Sequence, residues 1–257
     1  MPGDAEVTEI GIAVLGACIG VTAGVVGAGP SILTVLLLQH GAGLDLGGAI
    51  ATSLVVVALM SLVALVPYAW AHAVLWRVAL GFGVASMAGA FLGGRVSTLI
   101  PSSVLLVIFL LAMVVAAVAM LWPHPPLDEA ESPPERHSVG VLALAGLLLG
   151  GVTGLVGLGG GFAVVPLLVV FARAPVRAAV GTSILVIAMN TLAGLVGHLP
   201  HPAVDWRIAV YLGLAESAGS LVGVRVARRV SANALRHAFA AIMLVSALFL
   251  LGSALRR

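Results

Sequence analysis

The chain has 257 residues, of which 61% are hydrophobic and only 9% are charged. A soluble domain carries roughly 25% charged residues and a membrane helix uses about 20 apolar ones, so this apolar content corresponds to roughly eight spans. Such a composition excludes a soluble enzyme, a disordered chain, a nucleic-acid-binding protein and a secreted scaffold. The sequence therefore predicts an all-α polytopic protein of the cell (inner or plasma) membrane, with the lipid bilayer as a partner.

Apolar runs follow one another along the chain with short loops between them. They lie near 10–38, 48–67, 77–99 and 102–122, and then near 138–172, 178–199, 206–226 and 234–254. Between the two sets, residues 123–137 contain five prolines and five charged residues, a composition typical of an exposed linker. We expect an N-terminal repeat over 1–122, this linker over 123–137, and a C-terminal repeat over 138–257, with about four spans in each repeat.

The two halves repeat each other at an offset of 130 residues. From 24 to 105, 29 of 82 positions are identical to their counterparts in the second half. Two dipeptides recur in this register, Thr52-Ser53 as Thr182-Ser183 and Trp76-Arg77 as Trp206-Arg207. Composition alone would repeat glycine and leucine but not these pairs, so we predict an internal duplication. Four spans in each half give parallel repeats, whereas a re-entrant glycine-rich segment in each half gives inverted repeats.

The first residues of the chain and the charges of the loops indicate how the chain is oriented in the membrane. Three acidic residues and no basic one lie before residue 10, and a cleaved signal peptide needs a basic region there. The first apolar run is therefore predicted to be an uncleaved span. The arginine bias of the loops, counted for eight spans, favours both termini outside. With four full spans in each repeat, the linker would lie on the same side as the termini.

Glycine-rich segments interrupt the first apolar run of each half, at 24–31 and 154–161. Within a bilayer, unpaired backbone is tolerated only where it is buried in protein or lines a cavity. A helix that restarts there points free N–H groups and a partial positive charge into that cavity, which makes an anion site without a buried cation. Close helix packing through the glycines is the alternative. The predicted anion-site residues of the two breaks are Gly27, Gly29, Ser31, Gly157, Gly159, Gly160 and Gly161.

Polar side chains within the apolar runs extend this predicted site. The hydroxyls of Thr52, Ser53, Thr182 and Ser183 could donate to a bound oxyanion, and N-capping or bonding to the preceding turn is the alternative. Asn190 is also assigned to the site, with interhelical hydrogen bonding as its alternative.

Glu216 is the only carboxylate deep within an apolar run, and small residues surround it. Burial favours the neutral form of a carboxylic acid, so Glu216 is a candidate for proton coupling during transport. A structural acid bonded to a neighbouring helix is the alternative. The chain has no Ser/His/Asp triad, HExxH motif or P-loop lysine, so we expect neither an enzyme nor a bound cofactor or metal.

The second glycine segment carries a family resemblance. Residues 150–167, with the triple glycine at 159–161 and Pro166, are followed by Gly181-Thr182-Ser183, and together they resemble the sulfite exporter TauE/SafE family of membrane permeases. The first copy departs from this pattern at Pro30 and Leu36. The resemblance implies a secondary transporter of sulfite, organosulfonates or related small sulfur-containing or organic anions. A passive anion channel and an intramembrane enzyme are the alternatives.

Overall fold

The computed structural model describes residues 2–27, 31–97, 100–121, 139–156, 161–170, 174–198 and 204–255. These ranges contain ten α-helices and no strand, which confirms the all-α prediction for this part of the chain. The helices are α1 (Pro2–Val26), α2 (Ser31–His40), α3 (Leu46–Trp70), α4 (Trp76–Ser97), α5 (Ser102–Leu121), α6 (Val139–Val156), α7 (Gly161–Val170), α8 (Val176–His198), α9 (Trp206–Ala227) and α10 (Ala232–Leu255).

Five of the helices, α3, α4, α8, α9 and α10, are long and apolar enough to cross a membrane. Shorter apolar helical stretches lie at Ile10–Val26, Leu110–Leu121 and Gly140–Leu155. Helices α3 and α8 lie at the centre, where they pack against each other, and α9 packs on α3 as α4 packs on α8. The architecture is that of a polytopic helical membrane protein, and the described helices do not confirm the count of eight spans.

Glycine contacts show the direction of the helices that pack most closely. Along α1 and α9 the neighbours are Gly16 with Leu212, Gly20 with Glu216, and Gly24 with Ser220. Along α6 and α4 they are Gly146 with Phe82, Gly150 with Ser86, and Gly154 with Ala90. Residue numbers rise together in both series, so each pair of helices is parallel. The two series are related by the same offset of 130 residues that relates the two halves of the sequence.

Helix α2 runs back along α1. Thr34 is hydrogen-bonded to Glu216, which is level with Gly20, and Gly41, just beyond α2, lies beside Ile12. Contacts therefore move from the end of α1 towards its beginning as the chain advances through α2. Helices α1 and α2 form a re-entrant hairpin, and the chain leaves it on the side from which it entered.

The loops define two faces of the bundle. We call the side that holds the loop 41–45 the first face and the side that holds the loop 71–75 the second face. Helix α9 begins at the first face, because the amide of Asp205 is bonded to Thr52 near the start of α3. It ends at the second face, because Arg228 donates to the carbonyl of Pro67 near the end of α3.

The same reasoning places the segments that flank the linker. Arg236 at the start of α10 donates to the carbonyl of Met120, so α5 ends at the second face. Helix α4 begins at the second face, directly after the loop 71–75, and α6, which is parallel to α4, begins at the same face. The described residues on both sides of the linker thus lie at the second face, whereas α1 begins and α10 ends at the first. This differs from the expectation for four full spans in each half, and it follows because each glycine break reverses the chain. The helix directions agree with inverted repeats.

Candidate functional site

Gly27 ends α1 in a conformation that favours glycine. Its φ is +75°, and its amide donates to the carbonyl of Ala23 at 2.7 Å. A Cβ at this position would crowd Val180 and would lie 3.0 Å from the hydroxyl oxygen of Ser183. The first glycine break is therefore pressed against the beginning of α8.

Two hydroxyl groups bind the carbonyls at the end of α1. Ser183 donates to the carbonyl of Gly27 at 2.8 Å, and Tyr68, which is buried at the end of α3, donates to that of Gly24 at 3.0 Å. The last carbonyls of a helix have no intrahelical partner, so these bonds stabilise the turn at which the chain reverses. Tyr68 was absent from the predicted site, although a tyrosine within an apolar span needs a hydrogen-bond partner.

The paired threonines occupy equivalent places in the two halves. Thr182 accepts a hydrogen bond from the amide of Leu75 at 2.9 Å, and Thr52 accepts one from the amide of Asp205 at 3.1 Å. Both threonines are fully buried, and each holds the residue just before a neighbouring helix. Their hydroxyl hydrogens have no acceptor within the described ranges, so each could still donate to a ligand.

The serines that follow the threonines bond to backbone. Ser53 donates to the carbonyl of Ile50 at 2.7 Å. Ser183 lies 2.7 Å from the carbonyl of Val180 and 2.8 Å from that of Gly27, and its single hydrogen can serve only one of them at a time. The distances agree with the backbone-bonding alternative for both serines, and a part in anion binding stays a prediction.

The remaining predicted residues of the breaks lie at or beyond the limits of the described helices. Ser31 is the first residue of α2, and Gly161 is the first residue of α7. Four predicted residues lie outside the described ranges, namely Gly29, Gly157, Gly159 and Gly160. Helix α7 leads to α8, which begins at the second face because Thr182, near its start, binds the amide of Leu75 in the loop 71–75. The hairpin formed by α6 and α7 thus enters from that face. The two hairpins therefore enter the bundle from opposite faces.

Two buried polar pairs lie near the middle of the long helices. Asn190 of α8 donates to the hydroxyl oxygen of Ser86 at 2.8 Å, and Thr34 of α2 donates to Oε1 of Glu216 at 2.7 Å. All four side chains are at most 1% exposed. Oδ1 of Asn190 and Oε2 of Glu216 have no hydrogen-bond partner within the described residues. Ser86 and Glu216 occupy equivalent positions in the two halves. The two polar pairs therefore lie at equivalent places in the two repeats.

The two pairs also help to choose between the roles predicted for their residues. The bond from Asn190 joins two helices, as the interhelical alternative expects, and its free oxygen leaves room for a second role. Thr34 and Ser86 were absent from the predicted site. The only signal for Ser86 was its equivalence to Glu216. The described residues contain no group of three or more His, Cys, Asp or Glu side chains that could hold a metal.

Long apolar helices, two re-entrant hairpins and buried polar pairs are features that transport proteins of the membrane share. Residues 12–250 match the family model described as sulfite exporter TauE/SafE. The chain therefore belongs to this family, and it is an integral membrane protein and a membrane transporter.

Similar proteins agree with this class. The chain is 31% identical over 245 residues to a "probable membrane transporter protein" of Xylella fastidiosa strain Temecula1, with 92% of each chain covered. A protein of the same description from Methanocaldococcus jannaschii is 26% identical over 250 residues, which cover 93% of this chain and 91% of the relative. One from Bacillus subtilis is 29% identical over 118 residues, or 43% of each chain. No solved structure matches the chain significantly.

Proposed function

We propose that the protein is a secondary transporter that carries sulfite, organosulfonates or related small sulfur-containing or organic anions across the cell membrane. One observation carries the proposal: the two hairpins enter from opposite faces, so α2 and α7 both begin inside the bundle. A helix that begins inside a membrane protein offers free N–H groups to an anion and needs no buried cation. The name of the matching family supports sulfite as the first candidate.

The proposed anion site lies between the two helix starts. Its members are the residues predicted from the sequence, Gly27, Gly29, Ser31, Thr52, Ser53, Gly157, Gly159, Gly160, Gly161, Thr182, Ser183 and Asn190. Among the described ones, Thr52 and Thr182 offer hydroxyl hydrogens without an acceptor, and Ser183 joins the first break to α8. The site is therefore built from backbone amides and neutral side chains, which suits a small oxyanion that must be released again.

Exchange measurements on purified protein in liposomes test this function. We expect unlabelled sulfite inside the liposomes to drive uptake of radiolabelled sulfite, and sulfate, thiosulfate and methanesulfonate to compete to different degrees. Exchange of this kind without a matching electrical current distinguishes a carrier from a passive channel. Absence of exchange for every anion of the panel would contradict the proposal, and current without exchange would indicate a channel.

A pair of threonines in α8 supplies the matched variants. Thr182→Val removes the hydroxyl that the proposal assigns to the anion, and a lost hydrogen bond to a charged ligand typically costs about 1.5–3 kcal/mol, or roughly 10- to 150-fold in affinity. Thr191→Val removes an equally buried hydroxyl that bonds only to carbonyls of its own helix. Sulfite affinity should fall in Thr182→Val, recover in Thr182→Ser and stay near wild type in Thr191→Val. Equal affinities in all three would leave Thr182 with a capping role alone.

A further inference from the structure

Helix packing alone does not require a carboxylic acid at the buried position of Glu216. This residue lies at the middle of α9, is fully buried, and receives a hydrogen bond from Thr34. Its second oxygen, Oε2, has no partner within the described residues. The equivalent position of the other half holds Ser86, whose neutral hydroxyl meets Asn190 at the same depth. An interhelical polar contact at this level therefore needs no carboxylate.

Among the side chains that the structure describes, no charged group of the neighbouring helices is bonded to Glu216. Helix α9 packs against α1 and α3, and Thr34 brings α2 beside it. The titratable side chains described on these helices are Cys18 and His40, which are exposed, Tyr68, which is bonded to Gly24, and Tyr211 of α9, with Asp45 as the exposed cap of α3. Asp4, Glu6 and Glu9 belong to the first turns of α1, far along the helix from Gly20, which is level with Glu216. The arginines of α9 itself lie in its first and last turns. A carboxylate in these surroundings is costly unless it binds a cation, and a proton is the smallest cation that satisfies it.

Thr34 connects this carboxyl group to the proposed anion site. It follows Ser31, the first residue of α2, by three positions, which is a rise of about 4.5 Å along a helix. An ionised Glu216 would place a negative charge within a few helical turns of Ser31, where α2 begins and where the anion is proposed to bind. Repulsion over such a distance at a protein interior lowers anion affinity on the order of tenfold, and protonation removes it.

We propose that Glu216, held by Thr34, is a proton-binding site, and that a proton crosses the membrane with the anion in the same direction. The coupling part of this inference rests on the proposed function, because it requires a transported anion. The proton-binding part does not, since it concerns a carboxyl group that can be titrated in the absence of any substrate.

The proton site is tested first, without substrate. Infrared spectra of the full-length protein in liposomes, recorded over a range of pH, should contain a carbonyl band of a protonated carboxylic acid that disappears as the pH rises. Glu216→Gln should remove this band, and Asp45→Asn, a change at an exposed helix cap, should keep it. A spectrum in which Glu216→Gln loses no titratable band would overturn the proposal.

If Glu216→Gln folds poorly, variants of Thr34 test the proton site through the same infrared band. Thr34→Val removes the hydroxyl that donates to Glu216 among the described residues, and a hydrogen bond to a charged group is worth about one to two powers of ten in an equilibrium constant. The band should then persist to higher pH than in wild type. Thr34→Ser keeps the donor and should restore the wild-type midpoint. Identical midpoints in all three proteins would contradict the assignment.

Coupling is tested by radiolabelled sulfite uptake under an imposed pH gradient, with protein-free liposomes to measure passive loss. Wild type should accumulate sulfite when the outside is acidic, whereas Glu216→Gln should exchange sulfite and lose the accumulation. Gradient-driven accumulation by Glu216→Gln would overturn the coupling role. If wild type moves no sulfite at all, the proposed substrate is wrong, and the infrared titration still decides whether Glu216 is a proton site.

Discussion

Replacing Gly150 by alanine tests the close contact between α4 and α6. A Cβ at this position would lie under 3.0 Å from the backbone carbonyl of Ser86, and backbone gives way only if a whole helix shifts. At Gly151, the next residue of the same helix, a Cβ would meet no atom within 4 Å. The two substitutions therefore add the same methyl group to the same helix in two different environments.

The expected difference in stability follows from two opposing effects. Alanine in place of a helical glycine stabilises a helix by about 0.5–1 kcal/mol, and both variants gain this. Overpacking a close contact costs typically about 1–3 kcal/mol, and only Gly150→Ala meets it. We expect Gly150→Ala to be less stable than Gly151→Ala by about 1–3 kcal/mol, with Gly151→Ala at or slightly above wild type.

Free energies of unfolding in mixed detergent micelles, followed by circular dichroism, measure this difference. The equivalent pair of helices provides a second comparison, since Gly20→Ala meets the backbone of Glu216 while Gly11→Ala meets no atom within 4 Å. Equal stability of Gly150→Ala and Gly151→Ala would refute the backbone-to-backbone contact, which is one of the three contacts that show α4 and α6 to run parallel.

Two further predictions concern the first hairpin. Ser183→Ala should lower the free energy of unfolding by about 1–3 kcal/mol, because the hydroxyl of Ser183 can donate to the carbonyl of Gly27 as well as to that of Val180 in its own helix. Ser53→Ala should change it far less, because the bond of Ser53 stays within its own helix. Single cysteines introduced as Gly11→Cys and His40→Cys, in a Cys18→Ser background, should react with an impermeant maleimide from the same side of the membrane, and Ala71→Cys from the other. Labelling of the first two from opposite sides would mean that α1 and α2 form one broken span.

The positions of the helix breaks could be predicted from the sequence, but the reversal at them could not. Glycine at residue 27 indicates that α1 ends, and a positive φ is compatible with a kink as well as with a turn back. What distinguishes the two is tertiary: Ser183 and Tyr68 hold the end of α1, and Thr34 meets Glu216. The one local hint was the length of the first apolar run, 10–38, which exceeds a single span.

The offset of 130 residues predicted which contacts would recur but not what they would be. Thr52 and Thr182 do occupy equivalent places, and each binds the residue that precedes a neighbouring helix. The sequence register alone cannot show that partner, because Asp205 and Leu75 differ in every side-chain property and contribute only their amides. Thr34 was missed for a related reason. Its counterpart is Val164, so neither half repeats a polar residue there.

The hairpins also change which arginines share a face. Among the described residues, the second face holds Arg77, Arg177, Arg225, Arg228, Arg229 and Arg236, and the first holds Arg95 and Arg207. Because cytoplasmic loops carry the excess of arginine, this distribution favours a cytoplasmic second face more clearly than a count for eight spans does. The hairpin of α1 and α2 would then enter from outside and pass mid-depth, since Gly24 is level with Ser220 in the second half of α9. With Gly154 level with Ala90 in the second half of α4, the hairpin of α6 and α7 would make the same approach from the cytoplasmic face. An anion that crosses the bundle would meet both helix starts in turn, with the polar pairs of Ser86 and Glu216 between them.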